Sequence, residues 1–293
     1  MHYLDFDKQV LEREYSPSSC IDDINEFINL YINQSKAALS SARQSDTVIT
    51  NLYFGASETQ TLDLFFPTNR SKKKLHVYIH GGYWQELSKN ESSFAATTFQ
   101  EAGCHFAALN YTLAPDATLT QIVDEVSQAI LWLYKNADKY GYDKNEIYLS
   151  GSSAGAHLAL LMSLIDWWKV DPQFSNNNPI AGVCAVSGIY DLAPLLNTYI
   201  NEPLKLTTDE IITLSPLKLV SSKTPSCPVI LAYGDNETSE FKRQSDELYY
   251  HYQQRKVNIV KSEILNRNHF DIILDLSLAD SWLSKQVFKQ MKI

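Results

Sequence analysis

The chain has 293 residues, 44% of them hydrophobic, and a formal net charge of −9. That is enough apolar material for one large core, since single α/β domains routinely reach about 250 residues. The acidic balance argues against nucleic acid or an anionic membrane surface as partner, because both need a concentrated basic face.

The first residues, MHYLDFDKQVLEREY, are acidic and lack the apolar stretch of a signal peptide, so a cytoplasmic protein is expected. A helix is expected from about Asp22 to Ser41, with residues 1–45 packing over the rim of the sheet that follows. Two β-rich segments, Thr47 to Phe54 and Thr61 to Phe66, flank a turn containing Gly55 and predict an antiparallel hairpin. The basic run Arg70, Lys72, Lys73 and Lys74 reads as a solvated turn before the next strand. From Leu75 the pattern changes to short apolar strands alternating with helices. The strand HVYIH (to His80) precedes a helix around Ser92 to Ala102, and Phe106 to Asn110 precedes one from Leu119 to about Lys139. Glu146 to Ser150 leads into a helix from Ala154 to Ile165, and the strand Ile180 to Ser187 follows. The strand Pro228 to Tyr233 leads into a helix over Glu240 to Arg255, then the strand Val257 to Leu265 into a helix from about Asp271. Strands without polar alternation, separated by helices, imply a mostly parallel sheet covered on both faces. Eight strands in one domain are expected, the hairpin at the edge of the sheet. Ile189 to Pro225 breaks the rhythm and reads as a lid-like excursion of short helices over the carboxyl ends of the strands, where such sheets bind ligands.

Cysteines Cys20, Cys104, Cys184 and Cys227 stand singly with no CxxC pair, so neither a disulfide framework nor a metal site is read, and no cofactor is expected. Apolar runs stay well short of the roughly 18 residues of a membrane span. The sequence leaves a monomer and a homodimer both open.

The strongest chemical signal is YLSGSSAGAHLAL. Its Gly151-Ser152-Ser153-Ala154-Gly155 is a G-x-S-x-G pentapeptide between a predicted strand and a predicted helix, the context that motif requires. Small neighbours let strand and helix backbones approach, and the serine Oγ is presented at the helix N-terminus. Ser153 is the candidate nucleophile. His157, one helical turn on, reads as a packed residue. Among the seven histidines, His269 in LNRNHFD follows the last predicted strand and is the candidate base. His2 and His251 are terminal or helical, and His76 and His105 sit at strand starts. A carboxylate should orient the base, and the loop GDNETSEF offers Asp235 and Glu237. The later position, Glu237, leaves the chain room to turn toward the histidine, with Asp235 as runner-up. Acyl transfer also needs N–H donors for an oxyanion. Ala154, after the nucleophile, supplies one, and the glycine loop after the earlier strand, Gly81-Gly82-Tyr83, supplies another. Trp84 is expected to wall the acyl side of the pocket with Tyr83, leaving room for a small acyl group. Tyr15 is expected near the leaving group.

The ordered segments LEREYSPS, HGGYWQ, LAPDATLTQIVDEV, GSSAGAHLA, SGIYDLAPL, EFKRQSDEL and NHFDII run from Leu11 to Ile273. Together they resemble the α/β-hydrolases of the H-G-G esterase branch, and more narrowly the arylformamidase (kynurenine formamidase) family. The resemblance implies a metal-free serine hydrolase with Ser153, an acid of the Gly234 to Glu237 loop and His269, acting on N-formyl-kynurenine. The family's commoner acid, three residues after the loop glycine, is aspartate; here Glu237 holds that place. The same machinery would also serve a small-acyl carboxylesterase, and the fold alone a catalytically inactive binding module.

Overall fold

The computed structural model describes residues 3–175 and 178–293, the side chain of Leu4 excepted; His2 lies outside them. Eight strands form one sheet in the order β1-β2-β4-β3-β5-β6-β7-β8. They are β1 (Val48–Tyr53), β2 (Thr61–Phe65), β3 (Leu75–Ile79), β4 (His105–Leu109), β5 (Ile147–Ser152), β6 (Ile180–Val186), β7 (Val229–Asn236) and β8 (Ile259–Asn268). The first two form the antiparallel hairpin at one edge, and β2 also meets β4 antiparallel. From β4 through β8 every pairing is parallel.

The helices that matter for the site are α1 (Lys8–Glu14), α2 (Ile24–Gln44), α3 (Ala96–Glu101), α4 (Leu119–Lys135), α5 (Ala154–Met162), α6 (Ser239–Gln254) and α7 (Trp282–Met291). Alternate residues of each central strand enter different cores. Val77, Ile79, Ala107 and Leu109 join α4, α5 and α6 on one face. Tyr78, Phe106 and Ala108 join α2, α3 and α7 on the other. A strand buried from both sides has no solvent face to mark with polar residues, which is why β3 and β4 read as unbroken apolar runs. Helix α5 is buried on every side and is correspondingly apolar all round.

Boundaries differ from the sequence reading where local chemistry intervenes. Helix α1 is not apparent from composition; Asp7 caps it by accepting from the Val10 amide at 2.8 Å. Strand β7 continues through Gly234 to Asn236, and β8 runs on to Asn268, so both reach the rim with their site loops. The stretch expected to be helical from Asp271 is first a 3-10 turn, Ile272–Ser277, and only later α7. No helix among the described residues is long and apolar enough to cross a membrane.

Candidate active site

Ser153, His269, Glu237 and the loop from Gly81 to Trp84 lie at the carboxyl ends of β5, β8, β7 and β3. Ser153 leaves β5 with φ +56° and ψ −119°, a left-handed geometry that few non-glycine residues adopt. Its amide donates to the Val186 carbonyl at 2.9 Å, and its carbonyl accepts from His157. Both its neighbours' side chains must be minimal. A Cβ on Gly155 would collide with the Ile79 and His80 carbonyls, and one on Gly151 with the Gly155 carbonyl. The Oγ of Ser153 hydrogen-bonds to nothing among the described residues and, with His269, faces one cavity of about 270 Å³.

His269 follows β8 and is 4% exposed. Its Nδ1 meets Oε2 of Glu237 at 2.9 Å. The other oxygen, Oε1, accepts from the Ser187 hydroxyl and the Gly234 amide, both at 2.6 Å. One carboxylate is thereby held from two sides while it faces the imidazole, which fixes the ring orientation and leaves Nε2 free to handle a proton. The edges of Phe241 and Phe270 pack on the ring, at centroid distances of 4.5 and 5.2 Å. Asp235 is turned elsewhere. It accepts from the Arg267 amide at 3.2 Å, and the Asn266 and Arg267 amides hold its carboxyl below the usual range. Ser187, itself left-handed at φ +50°, was not singled out from sequence. The signal for it was a small polar residue closing β6 at the same rim.

The loop after β3 makes a left-handed turn. Gly82, Tyr83 and Trp84 have φ of +90°, +51° and +61°, and the Gln85 and Glu86 amides close back on the Gly82 carbonyl at 2.9 Å. The amides of Gly82 and Tyr83 bond to no carbonyl or side chain among the described residues, and Ala154 is the first amide of α5. Three unspent donors near the Ser153 turn have the chemistry an oxyanion requires. His80 stacks on Tyr111 at 4.1 Å below this loop, and burial lowers its pKa to about 4.

Two expected substrate contacts fall differently. Trp84 is fully buried in the core, edge-on to His157 at 5.1 Å, and does not line the cavity. The left-handed turn sends consecutive side chains to opposite sides, so Tyr83 faces the cavity and Trp84 faces inward. Tyr15 is also buried. Its hydroxyl donates to Glu240 at 2.7 Å, and its carbonyl, not its ring, approaches the site. His157 bonds the Leu214 carbonyl at 2.7 Å, and burial pulls its pKa to about 4.

The cavity walls are aromatic and aliphatic: Tyr31 and Ile28 of α2, Tyr78, Tyr83, Tyr199 and Phe270. Pro17 and Ser18 complete the roof from the N-terminal side, and Ile200 from the excursion. No group of three or more His, Cys, Asp or Glu arranged to hold a metal occurs among the described residues.

The BD-FAE family model matches residues 62–252. The chain is 34% identical to the kynurenine formamidase of Salmo salar over 297 residues, covering 98% of this chain and 97% of that one. It is 32% identical to the kynurenine formamidase of Danio rerio, covering 97% and 96%. Among solved structures, a protein from Silicibacter sp. superposes with a TM-score of 0.81 at 26% identity, covering 94% and 97%. A match of the family model across most of the chain, and full-length relatives above 30% identity, place it: the chain belongs to the kynurenine formamidase family of α/β-hydrolases.

Proposed function

We propose that the protein is a serine hydrolase that cleaves N-formyl-L-kynurenine to L-kynurenine and formate. The observation that carries this reading is His269, held on Nδ1 by Glu237, facing Ser153 across a small cavity with aromatic walls. Ser153 Oγ attacks the formyl carbon as His269 Nε2 takes its proton. The C=O oxygen becomes the oxyanion, received by the amides of Gly82, Tyr83 and Ala154. Collapse breaks the C–N bond, and His269 returns the proton to the departing aryl amine. Water, deprotonated by the same histidine, then attacks the Ser153 ester; the C–Oγ bond breaks, the histidine returns that proton to Ser153 Oγ, and formate leaves. Glu237 holds the ring in place and stabilises the imidazolium.

The supports for an aryl amide are the rings of Tyr31, Tyr78, Tyr199 and Phe270 and the limited volume, which leaves little room for a long acyl chain beside an aromatic group. The lining contains no lysine or arginine, and its one carboxylate is the exposed Glu86. That polarity suits the ammonium of the amino-acid side chain and leaves its carboxylate in solvent. Residues 1–45 and 189–225 act on this reading as a cap on a single domain. The net charge of −9 supports an enzyme working on a diffusing small molecule rather than on nucleic acid or an anionic membrane surface. The test is turnover of formyl-kynurenine beside p-nitrophenyl acetate and octanoate. Formyl-kynurenine should be the best substrate by kcat/KM and octanoate the poorest; octanoate turned over as well as acetate would exclude the small-acyl site.

A further inference from the structure

The strained loop after β3 and the acid loop after β7 are held by the same short piece of chain, Glu14 to Cys20. On one side, the Tyr83 hydroxyl donates to the Tyr15 carbonyl at 2.5 Å. That bond anchors an aromatic residue in left-handed backbone, whose amide is a candidate oxyanion donor. On the other side, three contacts fall on the residues next to Glu237. Thr238 Oγ1 donates to the Glu14 carbonyl at 2.6 Å, Ser239 Oγ to the Glu14 carboxylate at 2.6 Å, and Asn236 Nδ2 to the Cys20 carbonyl at 2.9 Å. Thr238 occupies the N-cap of α6 yet makes no cap bond with its own side chain. The Glu14 carboxylate substitutes, accepting from the Glu240 amide in the first turn at 3.3 Å.

The Tyr15 side chain joins the two sides. Its hydroxyl donates to Glu240 and accepts from Gln244 Nε2 at 2.6 Å. Gln244 Oε1 in turn takes the Tyr190 and Asp191 amides, in the loop that begins at Ser187, the hydroxyl donor to Glu237. We propose that Glu14 and Tyr15 are positioning residues for hydrolysis: they set the Tyr83 amide and the Glu237 carboxylate together, so that the oxyanion site and the acid–base pair are assembled or lost as one unit. A misplacement of about 1 Å in such groups costs on the order of a hundredfold in rate.

The inference rests on the hydrolase reading but not on its substrate. It is tested by a double-mutant cycle measured with both p-nitrophenyl acetate and formyl-kynurenine. Tyr83→Phe removes the donor to the Tyr15 carbonyl, and Glu14→Ala removes the cap of α6. Each should lower kcat roughly ten- to a hundredfold with KM changed less than about threefold. Glu14→Gln, which keeps an oxygen acceptor, should regain most of the loss. Because both changes cut one unit, the double variant should be no worse than the poorer single within about twofold. Rate losses that multiply, or a Tyr83→Phe enzyme with wild-type kcat, would overturn the proposal. If Glu14→Ala does not fold, Thr238→Val crossed with Tyr83→Phe puts the same question through the Thr238–Glu14 contact. Failure of the wild type to hydrolyse formyl-kynurenine while the cycle stands on the acetate would count against the substrate alone.

Discussion

Two left-handed turns lie side by side in the wall of the cavity, and they are held by different means. At Ser153 the backbone does everything: small residues at 151 and 155 let the Ile79, His80 and Gly155 carbonyls close in. At Gly82 to Trp84 the strain is supported by side chains, the Tyr83 phenol on a distant carbonyl and the Trp84 indole in the core. A turn specified by what cannot be there is local. A turn specified by what must reach it depends on the rest of the fold.

The largest effect should come from the first turn. Ser153→Ala is expected to lower kcat/KM by roughly a thousandfold or more with the fold intact, leaving only binding and the oxyanion donors. Ser152→Ala should cost far less, and an exchange of the two outcomes in esterase assays would move the turn by one residue. Glu237 sits between the two cases, held by one backbone amide and one hydroxyl. Glu237→Gln should lower kcat about a hundred- to ten-thousandfold, by analogy with other neutralised triad acids, against less than about fivefold for Asp235→Asn. Equal losses in the two variants would mean the contact with His269 does not decide the rate.

The second turn predicts a loss of stability rather than of selectivity. Trp84→Ala should cost about 3–5 kcal/mol, read as a lowered denaturation midpoint, because it empties a core site. The acetyl-to-butyryl rate ratio should not change; a flattened ratio would return Trp84 to the acyl wall. The smallest effect concerns three buried histidines. Burial lowers His80 and His157 to about 4 and His76 to about 3, below the ordinary value of 6.5. Between about pH 6.5 and these lowered values the unfolded chain therefore binds protons that the folded chain refuses, so the contribution of these histidines to stability is constant above that window and is lost as pH falls through it. His157→Gln should reduce proton uptake on unfolding near pH 5 by about one, measured from the pH dependence of the urea midpoint. An unchanged slope would show that His157 takes its proton in the native state.

This contrast also explains what could be read from the sequence. The turn at Ser153 was legible because its rule is short-range: five residues, two of them obliged to be glycine, between an apolar strand and an apolar helix. His269 and Glu237 were legible from chain order and from the geometry of leaving a strand. Trp84 and Tyr15 were misplaced because sequence adjacency says nothing of which side of a left-handed turn a ring takes. Glu14, Ser187 and Gln244 escaped notice because each is an ordinary polar residue in its own neighbourhood. What distinguishes them is a partner 50 to 226 residues away.

That distance has a consequence for the order in which the molecule becomes competent. Tyr15 and Glu240 are 225 residues apart, and Asn236 and Cys20 216. Contacts this non-local are slow to find and repay their loop closure only once both ends are structured. During synthesis, residues 14–20 leave the ribosome early, and their contacts with Asn236, Thr238 and Ser239 must wait until those residues follow. A nascent chain halted before Ser239 can already have the Ser153 turn folded between β5 and α5. It would still lack His269 and α6, against which residues 14–20 hold both the Glu237 loop and the Tyr83 turn, so the arrangement of the site is completed only as the last fifth of the chain is made.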